Sequence, residues 1–163
     1  MPLGIVSDTH NNKRNIEMII SIFNSQKVDL VIHTGDIANK ESLSMFSTLN
    51  CPLVGVFGNN DRHQEGIKET AKKYGFKFQD PPFHIKSGNR NIAIFHEPDN
   101  IDDFLLEKPD FDIVVHGHTH RYREEIINKT LIFNPGESAG MMKGKNAIGI
   151  ISLKNLHAER IFF

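Results

Sequence analysis

Asp8, His10, Asp36, Asn59, His96, His118 and His120 each follow a short apolar run, and together they supply two carboxylates, four imidazoles and one amide. Imidazole is the commonest transition-metal ligand among side chains. His118 and His120 belong to His116-Gly117-His118-Thr119-His120, which follows Ile113-Val114-Val115. Side chains two apart on an extended segment point the same way, so both rings are expected to aim at one point. Gly117 lets the backbone turn or pack closely there. The plain alternative for this stretch is a polar strand end with two solvated histidines. As a set, the seven residues suit Mn, Fe, Ni or Zn more than Ca or Mg, and no thiolate joins them. Seven donors are too many for one tetrahedral ion but fit two ions sharing a carboxylate. Such ions sit about 3.5–4 Å apart and hold a hydroxide and a phosphoryl group together. Two divalent cations against Asp8 and Asp36 leave a net positive site, which attracts a phosphate ester and stabilises charge developing in its transition state.

The elements that must position these residues follow in order. Leu3–Val6 reads as a buried first strand ending in Ser7-Asp8-Thr9-His10. Asn11-Asn12 then caps a helix with apolar positions Ile16, Ile19, Ile20 and Phe23. A second strand, Leu30–His33, ends in Thr34-Gly35-Asp36; helical spacing at Leu43, Phe46 and Leu49 leads to a third, Leu53–Phe57, ending in Gly58-Asn59-Asn60-Asp61. This is a β-α-β-α-β half with a parallel sheet, in which ligands bind beyond the carboxyl ends of the strands. An amphipathic helix is expected over Gln64–Tyr74, stopped by Gly75. Phe83–Ile85 and Ile92–Phe95 read as antiparallel strands turning at Ser87-Gly88-Asn89. A short helix at Ile101–Leu106 precedes Ile113–Val115, and strands follow at Tyr122–Ile127, Leu131–Phe133, Ala147–Leu153 and Leu156–Phe162. The expected architecture is a layered α/β/β/α sandwich of two mixed sheets flanked by helices, formed by one domain over residues 1–163.

Composition removes several function classes. With 19 Lys and Arg against 20 Asp and Glu, there is no electrostatic case for nucleic acid or an anionic membrane. The lone Cys51 excludes an intramolecular disulfide, fits a reducing cytoplasm, and reads as a small core residue rather than a nucleophile. The N-terminus has neither a basic segment nor a long apolar stretch, which disfavours a signal peptide and a membrane anchor.

Asp8-Thr9-His10, Gly35-Asp36, Gly58-Asn59-Asn60-Asp61, His96 and Gly117-His118-Thr119-His120, in that order, resemble the calcineurin-like metallophosphoesterase superfamily over essentially the whole chain. The length and Asn134-Pro135-Gly136 look most like its small single-domain archaeal and bacterial phosphodiesterases, whose fold the eukaryotic retromer small subunit shares. The resemblance implies a metal-dependent phosphodiesterase with two divalent transition-metal ions, Mn or Ni favoured over Fe or Zn for activity, acting on a small phosphodiester. By position, one ion takes Asp8, His10 and His120, the other takes Asn59, His96 and His118, and Asp36 bridges them. A metal-bridging hydroxide then attacks phosphorus in line. The alternative is a non-catalytic scaffold like the retromer small subunit; scaffold relatives tend to lose ligand histidines, whereas all seven positions are filled here.

Two departures stand out. Many members carry a general-acid histidine after the ligand asparagine, where this chain has Asn60; Asn60 is expected to contact substrate but cannot donate a proton. The histidine matched by His96 is often followed by Gly, here by Glu97, which either orients a ligand histidine or is a solvated charge. Of the other histidines, His33 and His116 read as buried and hydrogen-bonded, His84 and His157 as structural or surface, and His63 as loop. Arg62 and Arg121 sit where they could clamp a phosphate, with surface placement the plainer reading. Gly136–Gly144, with Met141-Met142, reads as a loop lining the cleft. Phe162-Phe163 closes the sheet or reaches a second subunit in a homodimer.

Overall fold

The computed structural model describes the whole chain, Met1–Phe163. Its strands are β1 (Pro2–Val6), β2 (Leu30–His33), β3 (Leu53–Val56), β4 (Lys77–Gln79), β5 (Phe83–Ser87), β6 (Arg90–Ile94), β7 (Ile113–Val115), β8 (Arg123–Ile127), β9 (Thr130–Asn134), β10 (Ala147–Ser152) and β11 (His157–Phe162). The helices are α1 (Lys13–Gln26), α2 (Lys40–Met45), α3 (Ile67–Lys73) and α4 (Ile101–Glu107), with a 3₁₀ turn at Phe46–Thr48.

Two mixed sheets form, in the orders β11-β10-β1-β2-β3-β4 and β5-β6-β7-β9-β8. Parallel pairing joins β1 to β2, β2 to β3 and β3 to β4 in the first, and β6 to β7 and β7 to β9 in the second. Strand alternation sends Leu3, Ile5, Ile32, Val54 and Val56 toward Ile92, Ile94, Ile113, Val115 and Phe133, which makes the central core between the sheets. Beyond the first sheet, Val6 and Val31 pack against α1, α2 and α3 through Ile16, Ile19, Phe23, Leu43, Ile67 and Ala71. Beyond the second, Ala93 and Val114 meet Ile101 and Leu105 of α4. The layers are therefore α/β/β/α. No helix is long and apolar enough to cross a membrane.

α1 begins where its cap was expected: Asn12 accepts the Asn15 N–H at 3.2 Å, and Ile16, Ile19, Ile20 and Phe23 are its buried apolar positions. Two expectations change. The Gln64–Tyr74 helix starts only at Ile67, because Gly66 takes a left-handed φ of 79° that a helix cannot continue through. Lys77–Gln79 is a short edge strand on β3 that no apolar run announces. Cys51 is half-buried and packs against the helix-side core.

Candidate metal centre

The carboxyl ends of β1, β2, β3, β6 and β7 meet at one end of the sandwich, and the seven candidate ligands lie just past them. Asp8, Asp36 and His96 are buried, His10 and His120 are half-buried, and Asn59 and His118 are exposed. The site therefore opens on its Asn59–His118 side.

The chain turns sharply at most of these positions. Asp8, His10, Asp36, His118 and His120 all have left-handed backbone, with φ of 50°, 46°, 59°, 66° and 56°. Such conformations cost about 1–3 kcal/mol each for non-glycine residues and persist where the surroundings over-determine them. They also correct one expectation. His118 and His120 do not share a direction, because β7 ends at Val115 and neither residue is extended. His120 instead joins Asp8 and His10, whereas His118 joins Asp36 and His96; within each trio the ligand atoms lie within 4.8 Å of one another.

In the first trio, His120 Nε2 lies 3.6 Å from Asp8 Oδ1, and His10 Nε2 is buried with no hydrogen-bond partner. A buried, unpartnered ring nitrogen is costly unless something binds it. In the second, His96 Nε2 stands 2.9 Å from Asn59 Oδ1 and 3.4 Å from Asp36 Oδ1, and His118 Nδ1 stands 3.2 Å from Asn59 Oδ1 and 3.3 Å from His96 Nε2. His96 Nδ1 donates to the Thr34 carbonyl at 2.8 Å, which aims Nε2 into the cluster. Donors bound at about 2.0–2.1 Å to one ion lie roughly 3–3.4 Å from each other. The second cluster has that spacing, so its residues fit a divalent ion.

Two glycines let the carboxylates into place. A Cβ on Gly58 would stand 2.1 Å from Asp36 Oδ1, and one on Gly117 would stand 2.9 Å from Asp8 Oδ2 and 2.0 Å from Ser7 Oγ. Ser7 donates a short hydrogen bond to Asp8, and the His118 N–H donates to Asp8 Oδ2 at 3.1 Å. Burial pushes the Asp8 carboxyl up, outweighing the Ser7 bond and the His96 and His120 rings. Burial also opposes ionisation of Asp36, but hydrogen bonds from His96 and Asn60 hold its carboxyl well below the usual carboxylate range. Burial disfavours charged His96, yet Asp36, Asp8 and the Thr34 carbonyl raise its pKa.

Asn60 is exposed and turned onto Asp36: its side-chain amide donates to Oδ2 at 2.7 Å and its backbone N–H to Oδ1 at 3.0 Å. The neighbouring Asp61 is a bracket. Fully buried, it accepts the Ile37, Ala38 and Gly58 N–H groups, each at 2.8 Å, and so ties the backbone just after Asp36 to the Gly58 turn. Asp61→Ala orphans two buried donors at about 1–3 kcal/mol apiece, and a third that is part-buried. A large loss of stability in urea is expected; a midpoint like that of the unaltered protein would remove the bracket role.

His33 is fully buried, bonded through Nε2 to Thr9 Oγ1 at 3.0 Å and accepting the Gly35 N–H on Nδ1 at 3.1 Å. Burial, with the His96 charge, lowers its pKa from 6.5 to about 3. His116, also buried, is lowered by burial from 6.5 to about 4; its Nδ1 bonds the Gly117 carbonyl and its Nε2 has no partner. Below 6.5 the unfolded chain protonates these rings and the folded chain does not, so their contribution falls as pH drops toward 4. Each adds a slope of about 1.4 kcal/mol per pH unit in that window. Asp8 and Asp61, whose carboxyls burial raises, act with the opposite sign. The informative quantity is therefore a difference: metal-free His33→Asn minus unaltered protein, by denaturant melts from pH 6.5 to 4. The variant should lose about 1.4 kcal/mol per unit less steeply; parallel lines would mean His33 titrates normally.

The remaining candidates stay outside the clusters. Glu97 is half-buried and pairs with Arg62 at 3.4 Å, and it is the Thr34 carbonyl that bonds His96 Nδ1. Arg121, His63 and His157 are exposed, and exposed His84 packs on Phe104 and Phe111. The sequence reading missed Glu137. This carboxylate is 1% exposed, with Oε2 3.6 Å from His120 Nδ1. Its place directly after Asn134-Pro135-Gly136 was the available signal.

Known proteins share this chain's fold and much of its sequence. The chain is 32% identical over 171 aligned positions to a phosphodiesterase of Methanocaldococcus jannaschii, covering 99% of this chain and 98% of that one. A probable metallophosphoesterase of Methanothermobacter thermautotrophicus is 29% identical over 83% of this chain and 76% of its own. A solved structure described as a novel archaeal phosphodiesterase superposes with a TM-score of 0.92 at 30% identity, covering 100% of both chains. Vps29 of Entamoeba histolytica complexed with zinc has the same fold, with a TM-score of 0.71 at 18% identity over 99% of both chains. The family profile of the calcineurin-like phosphoesterase superfamily domain matches residues 1–156. With that match spanning the strands that carry all seven candidate ligands, the chain belongs to the calcineurin-like phosphoesterase superfamily.

Proposed function

We propose that this protein hydrolyses small phosphodiesters using two divalent transition-metal ions, with Mn²⁺ or Ni²⁺ favoured over iron or zinc. The observation that carries the reading is the convergence of Asn59 Oδ1, His96 Nε2 and His118 Nδ1 within 3.3 Å of one another, beside a second trio of Asp8, His10 and His120. Asp8, His10 and His120 hold one ion, Asn59, His96 and His118 hold the other, and Asp36 serves both. When bound, such ions supply an activated hydroxide and positive charge at the phosphoryl oxygens. The protein's own groups set the stage: the Thr34 carbonyl aims His96, Asn60 and Asp61 fix Asp36, and the exposed Asn59–His118 side admits substrate. The M. jannaschii relative, named a phosphodiesterase, supports diesters as the substrate class. A full complement of ligand side chains speaks against the scaffold reading.

Chelation provides the test. The ligands lie at the sandwich end while the central core is independent of them, so the metal-free chain should keep its circular dichroism and lose hydrolysis of an activated aryl diester. Mn²⁺ or Ni²⁺ should restore activity as elemental analysis approaches two ions per chain. Unfolding on chelation would make the metals structural, and metal content never above trace would end the dinuclear reading.

A further inference from the structure

Glu137 is a buried carboxylate that the two-ion assignment does not use. Its Oε1 accepts the Met142 N–H at 2.6 Å and its Oε2 accepts the Met141 N–H at 3.1 Å. A carboxylate has about four lone-pair sites, so two amides leave capacity for a third partner. The group placed to take it is His120, whose Nδ1 lies 3.6 Å from Oε2, in ion-pairing range and just beyond a hydrogen bond, and whose ring is the one side chain in that range of Glu137. The His120 ring thus stands between two carboxylates, with Glu137 on the Nδ1 side and Asp8 Oδ1 3.6 Å from Nε2. A ring carrying its proton on Nδ1, toward Glu137, presents the Nε2 lone pair to the Asp8–His10 cluster.

The other side of Glu137 governs a loop. Its carboxylate gathers the Met141 and Met142 amides, and its backbone carbonyl accepts the Ala147 N–H at 2.9 Å. Just after the ligand His10, the Asn12 side chain donates to the Ala139 carbonyl and the Asn15 side chain to the Ser138 carbonyl, both at 2.8 Å. Residues 138–146 are therefore pinned at Ser138 and Ala139 by Asn12 and Asn15 of α1 and its cap, and at Met141 and Met142 by the Glu137 carboxylate. Met141 and Met142 project outward, 65% and 45% exposed.

We infer that Glu137 is a positioning residue, holding His120 in the Nδ1–H tautomer that leaves Nε2 for the ion at the Asp8–His10–His120 centre and tying the 138–146 loop to that ligand. The inference rests on the two-ion reading. It differs from a purely structural role, in which Glu137 closes a loop and both centres bind metal alike whether or not the carboxylate is present. Carboxylate partners of ligand histidines typically affect metal affinity about 10–100-fold.

The test titrates Mn²⁺ into chelator-stripped protein by calorimetry and follows amide hydrogen exchange at Met141 and Met142. In Glu137→Gln, one of the two binding events should weaken about 10–100-fold while the other is unchanged. In a His120→Ala background, Glu137→Gln should produce no further weakening. Unaltered protein should show slower Met141 and Met142 exchange on loading with Mn²⁺, and His120→Ala should not. The exchange arm needs no Glu137 variant, so it decides the matter even where Glu137→Gln fails to fold. Two tight ions in both unaltered and Glu137→Gln protein, or exchange unaffected by loading, overturns the inference. Failure of the unaltered protein to bind any ion defeats the two-ion reading instead.

Discussion

Asp36→Ala should abolish tight binding of both ions and lower hydrolysis of an activated aryl diester by more than the roughly 10²–10³-fold that loss of a single electrostatic contact costs. Asp36 and Asp8 are the only carboxylates in the candidate ligand set, so each loss removes half of the charge that balances the cations. Asp36 is also the more heavily invested of the two. Its oxygens stand beside His96 Nε2, receive the Asn60 backbone and side-chain amides, and lie in a gap that only glycine at position 58 leaves open. Asp36→Asn separates charge from shape: it is nearly isosteric, yet metal binding should fall almost as far as in Asp36→Ala. Asp8→Asn should weaken chiefly the centre with His10 and His120. Calorimetry with Mn²⁺ and steady-state hydrolysis measure both quantities. An Asp36→Ala protein that holds two ions and turns over like the unaltered one removes the bridging assignment.

Activity should fall steeply as the pKa of the leaving group rises. The departing oxygen must be stabilised or protonated as its bond to phosphorus breaks, and general acid catalysis typically contributes about 10²–10⁴-fold. An aryl oxide leaves as a stable anion; an alkoxide does not. Asn60 cannot give a proton, and its amide is engaged with Asp36 Oδ2 at 2.7 Å. Asn60→His should flatten the dependence by speeding the poorest leaving groups most, provided the ring reaches the leaving oxygen. Asn60→Ala is the control: it loosens Asp36, so metal affinity falls, but the slope stays steep. The measurement is a leaving-group series under one metal for all three proteins. A shallow slope in the unaltered protein, unchanged in both variants, would show that another group already supplies the proton.

The candidate ligands were legible because each closes an apolar run, and burial of β1, β2, β3, β6 and β7 in a two-layer core leaves no other place for Asp8, Asp36, Asn59, His96 and His118 than the sandwich end. Which ligand joins which cluster was not legible from alternation. That rule assumes extended backbone, and His118 and His120 are left-handed; the family resemblance separated them where periodicity did not. β4 escaped notice because Lys77-Phe78-Gln79 buries little and exists by pairing with β3. Glu137 was hidden for a different reason: a glutamate in a glycine-rich loop reads as solvated, and only the approach of His120 and the two methionine amides gives it partners.

The left-handed backbone at Asp8, His10, Asp36, His118 and His120 has an evolutionary consequence. Glycine adopts that conformation at no steric cost, whereas aspartate and histidine reach it only as the better tolerated of the Cβ-bearing side chains. Repeated selection of random variants for thermal resistance alone, without metal or substrate in the medium, should therefore enrich Gly at these positions. Lineages freed from hydrolysis would drift the same way, shedding ligands while keeping the sandwich intact. Under the two-ion reading, hydrolytic selection should hold aspartate and histidine at all five positions against that drift.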